Sequence, residues 1–233
     1  MGMRETMILG VFARRLFLAY MAAALVTVGA CSILNAAEHA QFPDPAVDES
    51  KGEAKDRRTA VLSGGCFWCT EAVFEQLAGV FSVTSGYTGG TAADAHYHIV
   101  GSGKTNHAES VRITYDPSKI TYGTILKVFM SVAHDPTTKD RQGPDWGHQY
   151  RSAIWYADAE QEKIARAYVQ QLTEAKVFKA PIVTEISPLK IFYPAEDYHQ
   201  HYVRNHPMEP YVMTNSAPKL QKLKKTYPEL LKK

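Results

Sequence analysis

The 233-residue sequence has few cysteines and no excess of charge of either sign. Cys31, Cys66 and Cys69 are too few for a disulfide-built scaffold, so each must be read by its own surroundings. The 26 basic residues face 24 acidic ones; without the first 37 residues, which hold Arg4, Arg14, Arg15 and Glu5, the count is 23 against 23. A balanced chain lacks the positive field that neutralises phosphates, which argues against nucleic acid as a partner. The apolar core Leu16 to Ala30 is fifteen residues long, inside a charge-free stretch that continues to Ala37, and the core alone is short of the roughly 20 that cross a bilayer. What is present, 45% apolar and 21% charged residues with 15 Gly and 12 Pro, is the composition of one globular domain with appendages.

The amino end reads as an address. Arg14 and Arg15 precede the apolar stretch as the charged flank precedes the core of an export signal, which gives residues 1–37 that role. Val28-Gly29-Ala30-Cys31 resembles a bacterial lipobox, and lipidation of Cys31 would attach the chain to a membrane; plain cleavage after Ala30 or near Ala37 is the alternative. Arg14-Arg15-Leu16-Phe17-Leu18 also resembles a twin-arginine signal. A periplasmic or cell-envelope location follows for a bacterial chain; in a eukaryote the same leader reads as an organellar presequence or anchor. Residues 38–58 carry ten charges and two prolines, too little apolar surface to offset ordering, and read as a flexible tether. One domain follows, residues 59–233.

Within it, Thr59 to Ser63 reads as a strand ending at Gly64-Gly65, and Ala72, Val73, Phe74 and Leu77 mark a helix face stopped by Gly79. Val80 to Val83 reads as a strand, followed by a glycine-rich turn at residues 86–90 and a long loop to Lys104. Alternation at Val111, Ile113 and Tyr115 gives another strand, and Ile125 to Val132 an amphipathic helix. Ser152 to Ala157 is a strand, Asp158 caps a helix to about Lys176, Ile182 to Ile186 is a strand, and Pro194 opens a short helix. The irregular alternation and long loops indicate an α+β fold.

The segment Gly64-Gly65-Cys66-Phe67-Trp68-Cys69 carries the chemistry. A thiol in the first helical turn faces unpaired N–H groups and the positive end of the helix dipole, so Cys66 is expected to have a lowered pKa. Cys69, one turn on, can close a disulfide with it; a structural disulfide or half of a zinc site are the alternatives, and zinc lacks partners.

Gly65-Cys66-Phe67-Trp68 resembles the nucleophile motif of the peptide methionine sulfoxide reductase A family. The resemblance continues, in the family's order, through Gly86-Tyr87-Thr88-Gly89-Gly90, Thr105 to Val111, Tyr115-Asp116-Pro117, His134-Asp135-Pro136, Arg141-Gln142-Gly143, Gln149 to Ile154 and Ala195 to Gln200. It implies a two-layer α+β sandwich with a mixed sheet and a ferredoxin-like core, needing no metal or organic cofactor. By the same resemblance Cys66 attacks the sulfoxide sulfur and Glu109 supplies the proton, since a sulfoxide oxygen leaves poorly until protonated and a desolvated carboxyl keeps its proton. Tyr97 and Tyr150 would hold the oxygen, Asp145 would organise the polar cluster, and Phe67 and Trp68 would wall the methyl pocket. The expected substrates are methionine-S-sulfoxides in proteins or peptides or as the free amino acid. The expected partner is a thioredoxin or thioredoxin-like reductant, and the expected state a monomer.

Departures from the family pattern sharpen this. Many members have Gly at the position of Cys69 and resolving cysteines in the carboxyl tail; here Tyr211 is followed by Val212, and the tail has no cysteine. Cys69 is therefore the expected resolving thiol. Asn106 and His148 replace a usual Gly and Thr beside proposed site residues. His96, His98, His199 and His201 read as polar contacts rather than metal ligands. Lysines from Lys219 to Lys233, interleaved with Leu220, Leu223 and Leu230, read as a solvated amphipathic tail. Two competing readings are a general thiol-disulfide oxidoreductase on Cys66 and Cys69, indifferent to Glu109, and a module that binds sulfoxide without turnover.

Overall fold

The computed structural model describes residues 42–53 and 56–233, and residues 43–233 form one compact unit. The proposed export signal, with Arg14, Arg15 and Cys31, lies outside the described residues. Among the described residues, no helix is long and apolar enough to cross a membrane.

Chain order explains the sheet. Strand β1 (Arg58–Gly64) leads through helix α1 (Phe67–Glu75) to β2 (Val80–Thr88); after the short helix α2 (Tyr97–Gly101) comes β3 (Ala108–Tyr115), and α3 (Tyr122–Val128) follows. A two-stranded ribbon, β4 (Arg141–Gln142) with β5 (Asp145–Trp146), precedes β6 (Ser152–Tyr156) and helix α4 (Ala159–Glu174). Strands β7 (Glu185–Pro188) and β8 (Phe192–Pro194), then helices α5 (Tyr202–Asn205) and α6 (Ala217–Thr226), complete the chain. The sheet order is β7-β6-β1-β3-β2-β8. Its central four strands, β6-β1-β3-β2, are all antiparallel neighbours in the ferredoxin-like arrangement; β7 joins parallel to β6, so the sheet is mixed as expected.

Local chemistry sets the ends of these elements. Asp158 caps α4 by accepting from the Gln161 N–H at 2.8 Å, and Thr121 caps α3 through the Thr124 N–H at 3.2 Å. Helix α1 is buried from Cys69 to Phe74, so it runs through the core rather than over it. The helix expected to end near Val132 leaves α geometry after Val128 and finishes as a π turn, Phe129–Ala133.

Several boundaries differ from expectation, each because a tertiary partner decides them. Gly86 to Thr88 extend β2 instead of turning, because β8 pairs with them; a Cβ on Gly86 would stand 2.3 Å from the Tyr193 carbonyl. Pro194 ends that edge strand rather than opening a helix. The loop to Lys104 contains α2, and the strand expected at residues 182–186 forms at Glu185–Pro188. The lysine-rich tail is anchored: Leu223 and Tyr227 are buried, and Ala78 and Lys232 exchange backbone hydrogen bonds with Leu230 and Gln76 at 2.8 Å.

The charged segment read as a tether is strapped to the domain from Pro43 onward. Glu49, 8% exposed, accepts from the Tyr115 hydroxyl at 3.0 Å, the Tyr122 N–H at 2.8 Å and the Arg58 guanidinium at 2.6 Å. Asp48 accepts from the Gly123 N–H, where any Cβ would strike its carboxylate, and Tyr168 donates to the Pro43 carbonyl. Composition gives no sign of this because the partners lie tens of residues away. Glu49→Ala is expected to lower stability by about 2–3 kcal/mol, since it strands three buried or part-buried donors. Urea unfolding followed by circular dichroism checks it; an unchanged midpoint would mean that the strap contributes nothing.

Candidate active site

Cys66 is the residue before the first turn of α1, at φ −53° and ψ 121°. Gly65 precedes it at φ +83°, and a Cβ there would meet Gln142 Cβ at 2.5 Å, so glycine serves both the turn and the close approach. Gln142 is fixed in turn by two hydrogen bonds with the Asp135 backbone, at 2.6 and 3.0 Å. Both cysteines are reduced and buried, Cys66 at 7% and Cys69 at 2% exposure.

The expected lowering of Cys66 is corrected by this burial. Burial pushes the Cys66 thiol well above its ordinary value, and the hydrogen bond and charge of Cys69 add to it. A helix end is worth about 0.3–2 kcal/mol, whereas taking a thiolate fully out of water costs several kcal/mol. The lowered thiol is Cys69, held down first by the hydrogen bond from Cys66 and further by Lys219 and Ser216.

Glu109 reaches the same turn from β3, opposite Tyr87 of β2. Its Oε2 accepts the Phe67 N–H at 3.0 Å, and the residue is 2% exposed. Burial pushes its carboxyl up to about 8, against the Phe67 N–H that favours the charged form, with smaller contributions from Asp145 and Cys69. At neutral pH this is a carboxylic acid with a proton to give.

Cys66, Phe67, Trp68, Tyr97, Glu109, Asp145 and Tyr150 line one cavity of about 220 Å³, so the structure brings together every residue expected there except Cys69. That volume lies below the roughly 300–1,000 Å³ of pockets for whole small molecules and suits a single side chain. One wall is aromatic: Trp68 stacks on Tyr202 at 3.7 Å and 8°, and its indole N–H donates to His199 Nδ1 at 3.1 Å. The opposite side presents hydroxyls. Burial raises Tyr97 to about 12 and raises Tyr150 further, so both are neutral donors.

A sequence profile described as "Peptide methionine sulfoxide reductase" matches residues 58–231. "Peptide methionine sulfoxide reductase MsrA 2" of Synechocystis sp. is 50% identical over 193 residues, 82% of this chain and 90% of the relative. The Deinococcus radiodurans MsrA is 49% identical over 173 residues, 74% of this chain and 84% of its own. Among solved structures, methionine sulfoxide reductase A of Corynebacterium diphtheriae aligns with TM-score 0.58 and 34% identity, covering 71% of this chain and 83% of that one. The chain belongs to the peptide methionine sulfoxide reductase family. Its enzyme class is peptide-methionine (S)-S-oxide reductase.

In this reductase Cys69 faces a second opening. A cleft of about 310 Å³ is lined by Cys66, Cys69, Asp145, Tyr211, Lys219 and Lys222, among others. The Cys69 sulfur lies 3.0 Å from Ser216 Oγ, in the π turn Val212–Ser216 that runs unbroken into α6. Hydroxyl and lysine both favour a thiolate there.

Two residues of the site carry no signal that sequence reasoning used. Tyr211 lines both openings, and its hydroxyl donates to Asp145 Oδ2 at 2.5 Å. Glu196 accepts from the Tyr97 N–H at 3.0 Å and the Tyr87 hydroxyl at 2.9 Å, which anchors α2 and therefore Tyr97. Its place in the Ala195 to Gln200 motif was the available clue. His199 is the polar contact expected of it; Asn106 and His148 line a different pocket, with Arg151 and Trp155, and do not reach the cavity.

Proposed function

We propose that this reductase returns methionine-S-sulfoxide to methionine through a sulfenic acid on Cys66 and a Cys66–Cys69 disulfide. The carrying observation is that a buried, protonated Glu109 and the Cys66 thiol line one side-chain-sized cavity. The sulfoxide methyl and methylene groups lie against Phe67 and Trp68, and the oxygen points to Tyr97, Tyr150 and Glu109. Glu109 protonates the oxygen as the Cys66 sulfur attacks the sulfoxide sulfur; the substrate S–O bond then breaks, the hydroxyl passes to the Cys66 sulfur as the transient S–S bond opens to release the thioether, and the Cys66 proton restores the acid. In sum Cys66–SH and the sulfoxide become Cys66–SOH and the thioether.

Cys69, having given its proton to the site, then attacks the Cys66 sulfur as thiolate; the S–O bond breaks, the departing hydroxide takes that proton and leaves as water, and the disulfide forms. A thioredoxin-like dithiol reduces that disulfide by exchange and leaves oxidised itself. Its approach is through the cleft beside Lys219 and Lys222, away from the cavity that holds substrate. Residues 1–37 act as an export signal, which places the enzyme in the periplasm or cell envelope, where electrons for such a dithiol must be delivered across a membrane.

A single turnover tests the scheme: reduced protein is mixed with a methionine-S-sulfoxide peptide and no reductant. About one equivalent of methionine and a Cys66–Cys69 disulfide are expected. Absence of product from folded, reduced protein would instead favour a binding module or a general disulfide exchanger.

A further inference from the structure

On the far side of α1 from the reacting sulfur, Glu71 and Glu75 stand one turn apart on the same helix face. His201 folds back over them from the start of α5, in the left-handed backbone region at φ +56°. Their three ligating atoms, His201 Nδ1 and one carboxylate oxygen from each glutamate, lie within 4.8 Å of one another.

An ordinary ion pair explains only part of this. His201 Nδ1 meets Glu75 Oε1 at 2.5 Å, but Glu71 Oε1 stands 3.8 Å from the same nitrogen and has no hydrogen-bond partner. Glu71 is 1% exposed. A buried carboxylate oxygen left bare costs about 1–3 kcal/mol or more. Its other contacts are backbone N–H groups of His201 and Tyr202, which turn the carboxylate so that the bare oxygen faces the cluster.

We propose that Glu71, Glu75 and His201 form a binding site for a divalent first-row cation of the zinc type. One imidazole nitrogen and two carboxylates are a donor set that such cations accept, with ligand bonds of about 2.0–2.2 Å. Ligands of a tetrahedral zinc stand about 3.3 Å apart, so the 3.8 Å approach closes slightly and the 2.5 Å contact opens to admit the ion. The His201 side chain is 39% exposed, which leaves a route in and room for water as a further ligand. Arg204, 3.9 Å from Glu75 Oε1, is the competing positive charge.

The position gives the site a consequence. The residue after His201 is Tyr202, whose ring stacks on Trp68, and two residues before it His199 accepts the Trp68 indole N–H. A cation here would fasten the segment that braces one wall of the substrate cavity to the helix that starts after Cys66 and carries Cys69. This inference is independent of the sulfur chemistry proposed above.

The probe is Zn2+, titrated calorimetrically into chelator-treated full chain in which Cys31, Cys66 and Cys69 are all serine, so that no thiol competes. One equivalent is expected to bind and to raise the thermal midpoint. His201→Gly, which keeps the left-handed backbone comfortable, and Glu75→Gln should each weaken binding by at least about 100-fold and abolish the thermal shift. Arg204→Gln should tighten it. Circular dichroism of each variant establishes that it is folded. Absence of binding, or binding that survives both His201→Gly and Glu75→Gln, would overturn the proposal.

Discussion

Glu109→Gln is expected to slow methionine release in a single turnover by about 10²- to 10⁴-fold, and at the same time to make the fold more stable at alkaline pH. Both effects come from one proton. Glutamine keeps an oxygen for the Phe67 N–H, so the turn before Trp68 should survive, but it has no acid proton to give the sulfoxide oxygen. The stability effect follows from the raised carboxyl, at about 8 in the fold against an ordinary 4.5. Below pH 4.5 folded and unfolded chains both hold this proton. Between 4.5 and 8 the unfolded chain has released it and the folded chain has not, so wild-type stability falls as pH rises, by several kcal/mol in all.

The glutamine variant escapes that loss, although its amide N–H₂ needs a partner at a cost of about 1–3 kcal/mol. The variant should therefore be the less stable protein at pH 5 and the more stable one at pH 8, a crossing that urea titrations at the two pH values would reveal. In the wild type, single-turnover rate should decline as pH passes through about 8. A rate that stays flat there, or a glutamine variant that turns over normally, would remove Glu109 from the chemistry and leave the thiol pair as a general exchanger.

The legible part of the molecule was the part written in local pattern. Alternation at Val111, Ile113 and Tyr115 and the cap at Asp158 gave a strand and a helix close to their true limits, because neighbours in sequence decide them. The reacting set was legible for another reason: the motifs around Cys66, Glu109 and Tyr150 are distinctive, and the resemblance supplied their company. What sequence could not supply is burial. It reverses the expected direction at Cys66, where desolvation outweighs the helix end, and moves the thiolate preference to Cys69. It also binds Glu49 to Tyr115 and Tyr122, 66 and 73 residues away, in a segment whose composition alone reads as unfoldable. Tyr211 is invisible for the same reason, since only the path of the chain after α5 brings it to Asp145.

Cys69→Ser is expected to release about one equivalent of methionine and then stop when a thioredoxin-like dithiol is the only reductant. The first half follows because substrate, Cys66 and Glu109 share a cavity that Cys69 does not line. The second follows because the sulfenic acid then has no neighbouring thiolate to expel its oxygen, and a sulfenic-acid trap should label Cys66 in nearly every molecule. A further change distinguishes this from simple damage. Burial holds the Cys66 thiol up first, but its hydrogen bond with Cys69 and the charge there come next, so removing Cys69 should move alkylation of Cys66 to lower pH.

Lys219→Met should do the reverse to the partner thiol, raising Cys69 and slowing disulfide formation while leaving the methionine burst intact. Sustained turnover by Cys69→Ser with the dithiol would mean that the reductant attacks the sulfenic acid directly. The lysine-lined cleft would then carry the incoming sulfur to Cys66 itself, since that cleft reaches both cysteines and needs only one of them to be useful.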